Sequence, residues 1–245
     1  MSQNSKKTDS KSDYIQTIFN NIASHYDIMN RIISWGLDRF WRKKIVDLLA
    51  IEPQTEILDL ACGTCELTIM LAKKLGNEGK IIGLYFNPEI RKKKKKKLED
   101  KNLEKKAKLI SGDARRLPFS SNKFDYVGIA FALRNISERE KVLSEMKRVL
   151  KPGGTIFILD IFKPTLIGYR QLFLFYFNKV VPLLGKLIFN QYQEYNWLPE
   201  SLERFMTIKE LKNKLESLGL LDVQVEKMMG GGVVLQYGKK KTIKS

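Results

Sequence analysis

The chain predicts a doubly wound α/β fold, a mostly parallel sheet with helices on both faces. Three observations carry this expectation. Short apolar runs alternate with amphipathic stretches of helical period through the first two thirds of the chain. The run Ile57-Leu58-Asp59-Leu60 passes into a small-residue loop, Ala61-Cys62-Gly63-Thr64-Cys65. Apolar positions then resume at helical spacing: Leu67, Met70, Leu71, Leu75. Phe124 to Phe131 is apolar enough for a parallel strand buried on both faces.

The elements follow in order. Tyr14 to Tyr26 carries Ile15, Ile18, Phe19, Ile22 and Tyr26 on one helical stripe. With a second amphipathic helix over about Arg39 to Leu49, it predicts an N-terminal helical cap. The strand–loop–helix unit around Asp59 is the kind of crevice, outside the carboxyl end of a strand, where nucleotide-like ligands sit. Its small side chains let backbone approach a ligand, and the helix start offers unpaired N–H groups. Gly79 to Phe86 reads as strand two, Asn87-Pro88 as a turn, and Arg91 to Lys97 as part of a surface helix. Lys108 to Ile110 is a short third strand ending at Ser111-Gly112-Asp113-Ala114. Glu138 to Leu150 is a helix that Lys151-Pro152-Gly153-Gly154 stops, and Thr155 to Asp160 is strand five. Ile161 to Phe189 breaks the rhythm; it is apolar and aromatic, either a cover for the sheet edge or a lid for a greasy substrate. Thr207 with Glu210 opens a helix through Leu218 as a capping box. Val223 to Val225 and Val233 to Tyr237 close the chain as a hairpin through Gly230-Gly231-Gly232. Together these predict a seven-stranded sheet in one domain over 14–240, behind a disordered basic leader over 1–13.

Composition narrows the class. The 245 residues, 43% hydrophobic, suffice for a full core. The polar start excludes a secretory signal, and no uninterrupted run of about 18 apolar residues predicts a spanning helix. The net charge of +17 draws nucleic acid or anionic lipid, although lysine-rich solvated faces explain it more plainly. The lysine run lacks the interleaved aromatics of a single-strand binder. Cys62 and Cys65 form a C-x-x-C, but a metal site would need more ligands and His25 is the sole histidine; no metal is expected. Two cysteines fit a reducing compartment.

Several stretches together resemble the UbiE/MenG family. They are Tyr26-Asp27-Ile28-Met29-Asn30, Ser34-Trp35-Gly36-Leu37, Leu58-Asp59-Leu60-Ala61-Cys62-Gly63-Thr64 and Leu117-Pro118-Phe119. Phe131-Ala132-Leu133-Arg134-Asn135 is the most specific, and Arg148 to Gly154, Val181-Pro182 with Gly185, and Tyr195, Leu198, Glu200 and Ser201 follow. The match runs from about Phe19 to Gly238. The resemblance implies a Rossmann-like class I methyltransferase fold, S-adenosylmethionine as cofactor, and C-methylation of a prenylated hydroquinone. It places Asp59, Gly63, Thr64, Tyr85, Asp113, Ala114 and Ala130 at the cofactor, and suggests Arg134, Asn135 and Tyr26 as catalytic candidates. Arg134 would stabilise a phenolate or order a water, or else form a structural ion pair; Asn135 and Tyr26 would orient the ring.

The sequence departs from the family pattern at the cofactor. Tyr85 stands where the family has the acidic residue for the ribose hydroxyls, Cys65 replaces a loop glycine, and Glu66, Ala130 and Ala132 replace an aspartate, a serine and a glycine. Losing one or two charged hydrogen bonds weakens binding by about ten- to several-hundred-fold unless compensated. The activity that the resemblance implies is methylation of demethylmenaquinol to menaquinol. The alternatives are the equivalent ubiquinone-pathway step on a methoxy-benzoquinol, or a catalytically impaired relative acting as a binding protein. Expected partners are the quinol, an anionic membrane met peripherally through the basic face, and a second copy of the chain. No specific nucleic acid is expected. The expected location is the cytoplasm, with a peripheral position at the inner membrane as the further expectation.

Overall fold

The computed structural model describes residues 17, 18, 21, 22, 25–86 and 91–242, without the side chains of Tyr26, Arg91, Lys92 and Lys93. The leader over 1–13 and the Asn87-Pro88 turn lie outside the described residues, as does much of the stripe from Tyr14.

Helices α1 (Tyr26–Ile33) and α2 (Leu37–Leu48) precede the sheet. Strand β1 (Glu56–Leu60) leads through the small-residue loop to α3 (Glu66–Lys74), then to β2 (Lys80–Tyr85). Helix α4 (Arg91–Glu99) leads to β3 (Ala107–Ser111), and β4 (Phe124–Ala130) follows. A 3-10 turn (Leu133–Asn135) and α5 (Arg139–Val149) connect to β5 (Leu150–Ile161). The sheet order is β3-β2-β1-β4-β5-β7-β6, with β6 (Leu220–Met228) and β7 (Val233–Lys240) forming the expected hairpin. Only β7 runs antiparallel to its neighbours. Seven strands, mostly parallel, match the expectation from sequence.

Alternation along the strands divides the core in two. Leu58, Ile156 and Ile158 face α5 and α9 (Ile208–Ser217), against Val142, Leu143, Met146, Leu211 and Leu215. Ile57, Phe157 and Leu159 face α2 and α3, against Trp41, Ile45, Leu67 and Leu71. The two-residue period of a strand puts neighbours on opposite faces, so both sides must be apolar. Gly128 is needed for contact: the Phe157 ring lies flat over it, where a Cβ would stand 1.8 Å away.

Two expectations need correction. Lys151 to Gly154 was expected to lie between helix and strand, but β5 already starts at Leu150, which pairs with Phe124. The quartet makes an irregularity within the strand instead. Gly153 takes φ +79°, and a Cβ on Gly154 would come 2.7 Å from the Asp125 carbonyl. The second concerns 161–189. Helix α6 (Ile167–Phe175), a π-helical turn (Tyr176–Val180) and α7 (Val181–Phe189) run on as one rod of 23 residues. Pro182 cannot donate into the preceding turn, and the π turn just before it accommodates the lost bond. Two lysines interrupt the run, yet the mean hydropathy of its most apolar window is 1.6. Among the described residues it is one helix long and apolar enough to cross a membrane by length and composition. One face packs on the domain: Phe173, Phe177, Val181 and Gly185 are buried, and Tyr195 of α8 (Tyr192–Glu203) fills the space a Gly185 side chain would need.

Gly128→Ala tests the core packing. It is expected to cost about 1–3 kcal/mol or more by forcing Phe157 off its position. The urea midpoint should fall with an unchanged slope; an unaltered midpoint would contradict the contact.

Candidate active site

Parallel pairing brings the carboxyl ends of β1, β2, β3 and β4 to one edge. Leu60 sits beside Leu84 and Ile129, and Tyr85 beside Ser111. The strand ends, with Asp59, Tyr85 and Ala130, and the loops after them, with Gly63, Thr64, Asp113, Ala114, Arg134 and Asn135, therefore converge.

The loop after β1 is bent by its backbone. Ala61 (φ 50°), Gly63 (φ 51°) and Cys65 (φ 65°) all take the left-handed region. Outside glycine that region costs roughly 1–2 kcal/mol per residue, so external bonds must hold the loop. The Cys62 N–H donates to the Leu84 carbonyl, and Cys65 N–H to the Cys62 carbonyl. Among the described residues no protein acceptor faces the Gly63 or Thr64 amides. A Cβ on Gly63 would have its nearest neighbour at 3.8 Å, so the cradle stands open there. Cys65 adopts the glycine-like conformation with its side chain fully buried, 3.9 Å from the Cys62 sulfur. Contact with Cys65, and then burial, push the Cys62 thiol up, so it stays neutral.

Side chains tie this loop to two other elements. The Thr64 hydroxyl donates to Asp27 of α1 at 2.5 Å. Lys97 of α4 donates to Asp27 (3.1 Å), the Thr64 carbonyl (3.1 Å) and Glu66 (2.6 Å). Burial opposes the charged forms of Glu66 and Lys97, but their contact outweighs it: Glu66 is held below its usual range and Lys97 above. Beneath the loop, Asp59 is wholly enclosed and receives the Thr68 hydroxyl. Burial raises its carboxyl to about 6, against opposing effects of that bond and of Arg42.

Tyr85 is 3% exposed, its ring packed in the core with the Lys94 ammonium 4.5 Å from its centroid. The position expected to hold a ribose carboxylate thus presents a phenol beside a cation. Asp113 is clasped by Arg115, which also pairs with Glu138. Burial pushes the Asp113 carboxyl up, but the guanidinium bonds prevail and hold it below its usual range. Ala130 and Ala114 are half-buried.

Arg134 is buried in the turn after β4. One Nη donates to Asp160 (2.6 Å) and to the Phe131 carbonyl (2.8 Å), and its amide donates to the same carboxylate. Its Nε–H is buried with no partner among the described residues. Asn135 accepts the Trp197 indole N–H at 3.0 Å, which fixes its amide. The Tyr26 side chain lies outside the described residues; its backbone opens α1 next to Asp27, and so near the loop.

Sequence reasoning passed over Asp27, Lys94, Lys97 and Asp160. Asp27 stood within a quoted motif, and Leu98 held the clue to the lysines. As the one apolar residue in α4 it marks the inward face, and Lys94 lies one turn before it. The lysine run is thus not wholly a solvated face; Lys95 and Lys96 alone of its described side chains are exposed.

This sheet order, with one antiparallel strand and a loop cradle after β1, is the fold of class I S-adenosylmethionine-dependent methyltransferases. Solved structures agree on the fold. An S-adenosylmethionine-dependent methyltransferase from Aquifex aeolicus superposes with TM-score 0.61 at 22% identity, covering 82% of this chain and 90% of that one. The [4+2]-cyclase SpnF gives TM-score 0.63 at 16% identity, covering 85% of this chain and 82% of its own. The chain belongs to the ubiE/COQ5 methyltransferase family, whose model matches residues 7–240. Relatives from Bacillus cereus (strain ATCC 10987 / NRS 248) and Bacillus anthracis (strain CDC 684 / NRRL 3495), each called demethylmenaquinone methyltransferase, are 41% identical over 231 residues. That is 94% of this chain and 97% of each relative. The family's cofactor is S-adenosylmethionine, and the residues fit it: free amides on an open Gly63 cradle suit a carboxylate, and the enclosed Asp59 suits a cation nearby.

Two predictions follow from this geometry. Lys97→Met should leave global stability little changed while the amides of the 61–66 loop exchange hydrogen about ten-fold faster; unchanged exchange would show that the knot does not hold the loop. Asp59 is raised in the folded state, so ionising it opposes folding. Its cost is absent below about pH 4, grows between pH 4 and pH 6, and then stays near 3 kcal/mol. The stability of Asp59→Asn relative to the parent should therefore rise by about that amount between pH 4 and pH 8. A flat difference in urea melts would contradict the burial argument.

Proposed function

We propose that the protein methylates a ring carbon of demethylmenaquinol, giving menaquinol, in the cytoplasm at the membrane face. The observation that carries this reading is the Arg134–Asn135 turn. A buried guanidinium, fixed by Asp160, keeps one Nε–H without an acceptor among the described residues, beside an amide fixed by Trp197. Such a donor suits an oxygen that arrives with the substrate. The names of the Bacillus relatives support the same ring.

When bound, S-adenosylmethionine supplies an electrophilic methyl group on a sulfonium. Arg134 cannot act as a base, because its guanidinium keeps its protons at any working pH. Its role is to hold a phenolate oxygen once the phenolic proton is lost, which leaves electron density on the adjacent ring carbon. A methyl taken up there would displace the ring proton, and that proton and the phenolic one would pass to water, which restores aromaticity. Asn135 and Tyr26 orient the ring, and rate comes chiefly from alignment. Asp59, Gly63, Thr64, Tyr85, Asp113, Ala114 and Ala130 form the cofactor side of the cleft. The Tyr85 phenol beside Lys94 takes the place of the missing ribose carboxylate. The buried Cys65 and Tyr85 favour a second reading, an impaired relative that binds without catalysing. The ubiquinone-pathway quinol is the alternative substrate.

Arg134→Lys keeps a cation opposite Asp160 and removes the Nε–H. With a short-tailed demethylmenaquinol, kcat should fall about a hundred-fold with KM and melting temperature little changed. A kcat within two-fold of the parent would overturn the role of Arg134. Absence of turnover in the parent, on either quinol class, would favour the binding reading.

A further inference from the structure

The long helix over 167–189 leaves one face uncovered. Leu172, Phe175, Leu183 and Leu187 are exposed on it at helical spacing, each by half or more. Monomeric proteins rarely leave such a strip open unless something covers it. The strip continues onto the α1–α2 turn. The Tyr176 hydroxyl donates to the Ile33 carbonyl at 2.9 Å, two residues before Trp35, which is 81% exposed.

Charge identifies what covers it. From Ile161 to Gln193 the sequence holds Lys163, Arg170, Lys179 and Lys186 and no acidic residue, although Asp and Glu number 27 in the chain. Lys179 and Lys186 are exposed and share the apolar face, with stems long enough to lift the ammonium to the headgroup level. We infer that this helix and Trp35 form a monotopic docking surface for an anionic lipid bilayer. The helix does not cross the bilayer in this state, because Phe173, Phe177, Val181 and Gly185 anchor its other face to the domain. It lies in the interface plane, its apolar strip among the upper acyl chains and its lysines among the headgroups. An exposed tryptophan at the edge suits that depth. The inference does not depend on which ring is methylated.

The test uses the full chain with phosphatidylcholine vesicles, with and without phosphatidylglycerol, read by co-sedimentation and by tryptophan emission. Trp41 and Trp197 are buried, so a blue shift on vesicle addition reports Trp35. The parent should bind the anionic vesicles with a blue shift and bind neutral ones weakly. Leu172→Glu with Leu187→Glu should lose at least ten-fold in binding and abolish the shift. Lys179→Glu with Lys186→Glu should lose about five-fold per charge or more. Lys95→Glu with Lys96→Glu, on exposed positions of α4, should lose less than either. Far-ultraviolet circular dichroism and melting temperature confirm that each variant is folded. Equal losses in the α4 variant, or unchanged binding when the leucines are replaced, would overturn the inference. So would a parent dimer that the leucine variant dissociates while vesicles are not bound, since a second copy would then be the cover. Vesicle binding is read without turnover, so its failure leaves the methylation reading intact.

Discussion

Four groups at the mouth of the cleft hold the functional end of this molecule together. Asp27 accepts from Thr64 and from Lys97, and Lys97 reaches on to Glu66. One knot thereby joins the N-terminal helices, the β1 loop, the start of α3 and the lysine helix. The loop needs such support, because three of its five residues occupy left-handed backbone and two of those three are not glycine. Partly buried charges are held in their ionised forms by one another, so removing one leaves its partner unmatched. The helical cap is in this sense part of the candidate cofactor site.

Most of the architecture was legible because it follows from period and punctuation. Alternating apolar faces on β1 and β5 and the stripe on α5 are local patterns, and the sheet order is a property of the family they resemble. The departures came where tertiary contact overrode local signals. Lys151 to Gly154 carries the marks of a helix stop, yet pairing with β4 draws it into a strand with an irregularity. The segment over 161–189 reads as broken by its lysines and proline, yet neighbours on one side make it a continuous rod.

The positions expected to line the site do converge, since parallel pairing brings the ends of four strands together. What they touch was not legible. Asp160 is an ordinary strand residue in sequence and becomes the partner of Arg134 only through the β4–β5 pairing. Lys94 and Lys97 are hidden in a run of identical side chains, and only the position of Leu98 tells inward from outward. Charge thus plays two parts: two lysines of the run build the cleft, whereas the basic residues of the long helix accompany an apolar face.

Tyr85 is where the family pattern and this chain differ most. A buried phenol ring with an ammonium over its face stands where the family pattern has a carboxylate. The most direct measurement is titration calorimetry of the purified protein with S-adenosylmethionine. The account predicts one site per chain with a dissociation constant in the micromolar range. No heat of binding at millimolar cofactor would contradict it, and would mean that the frame of the site is kept without its ligand.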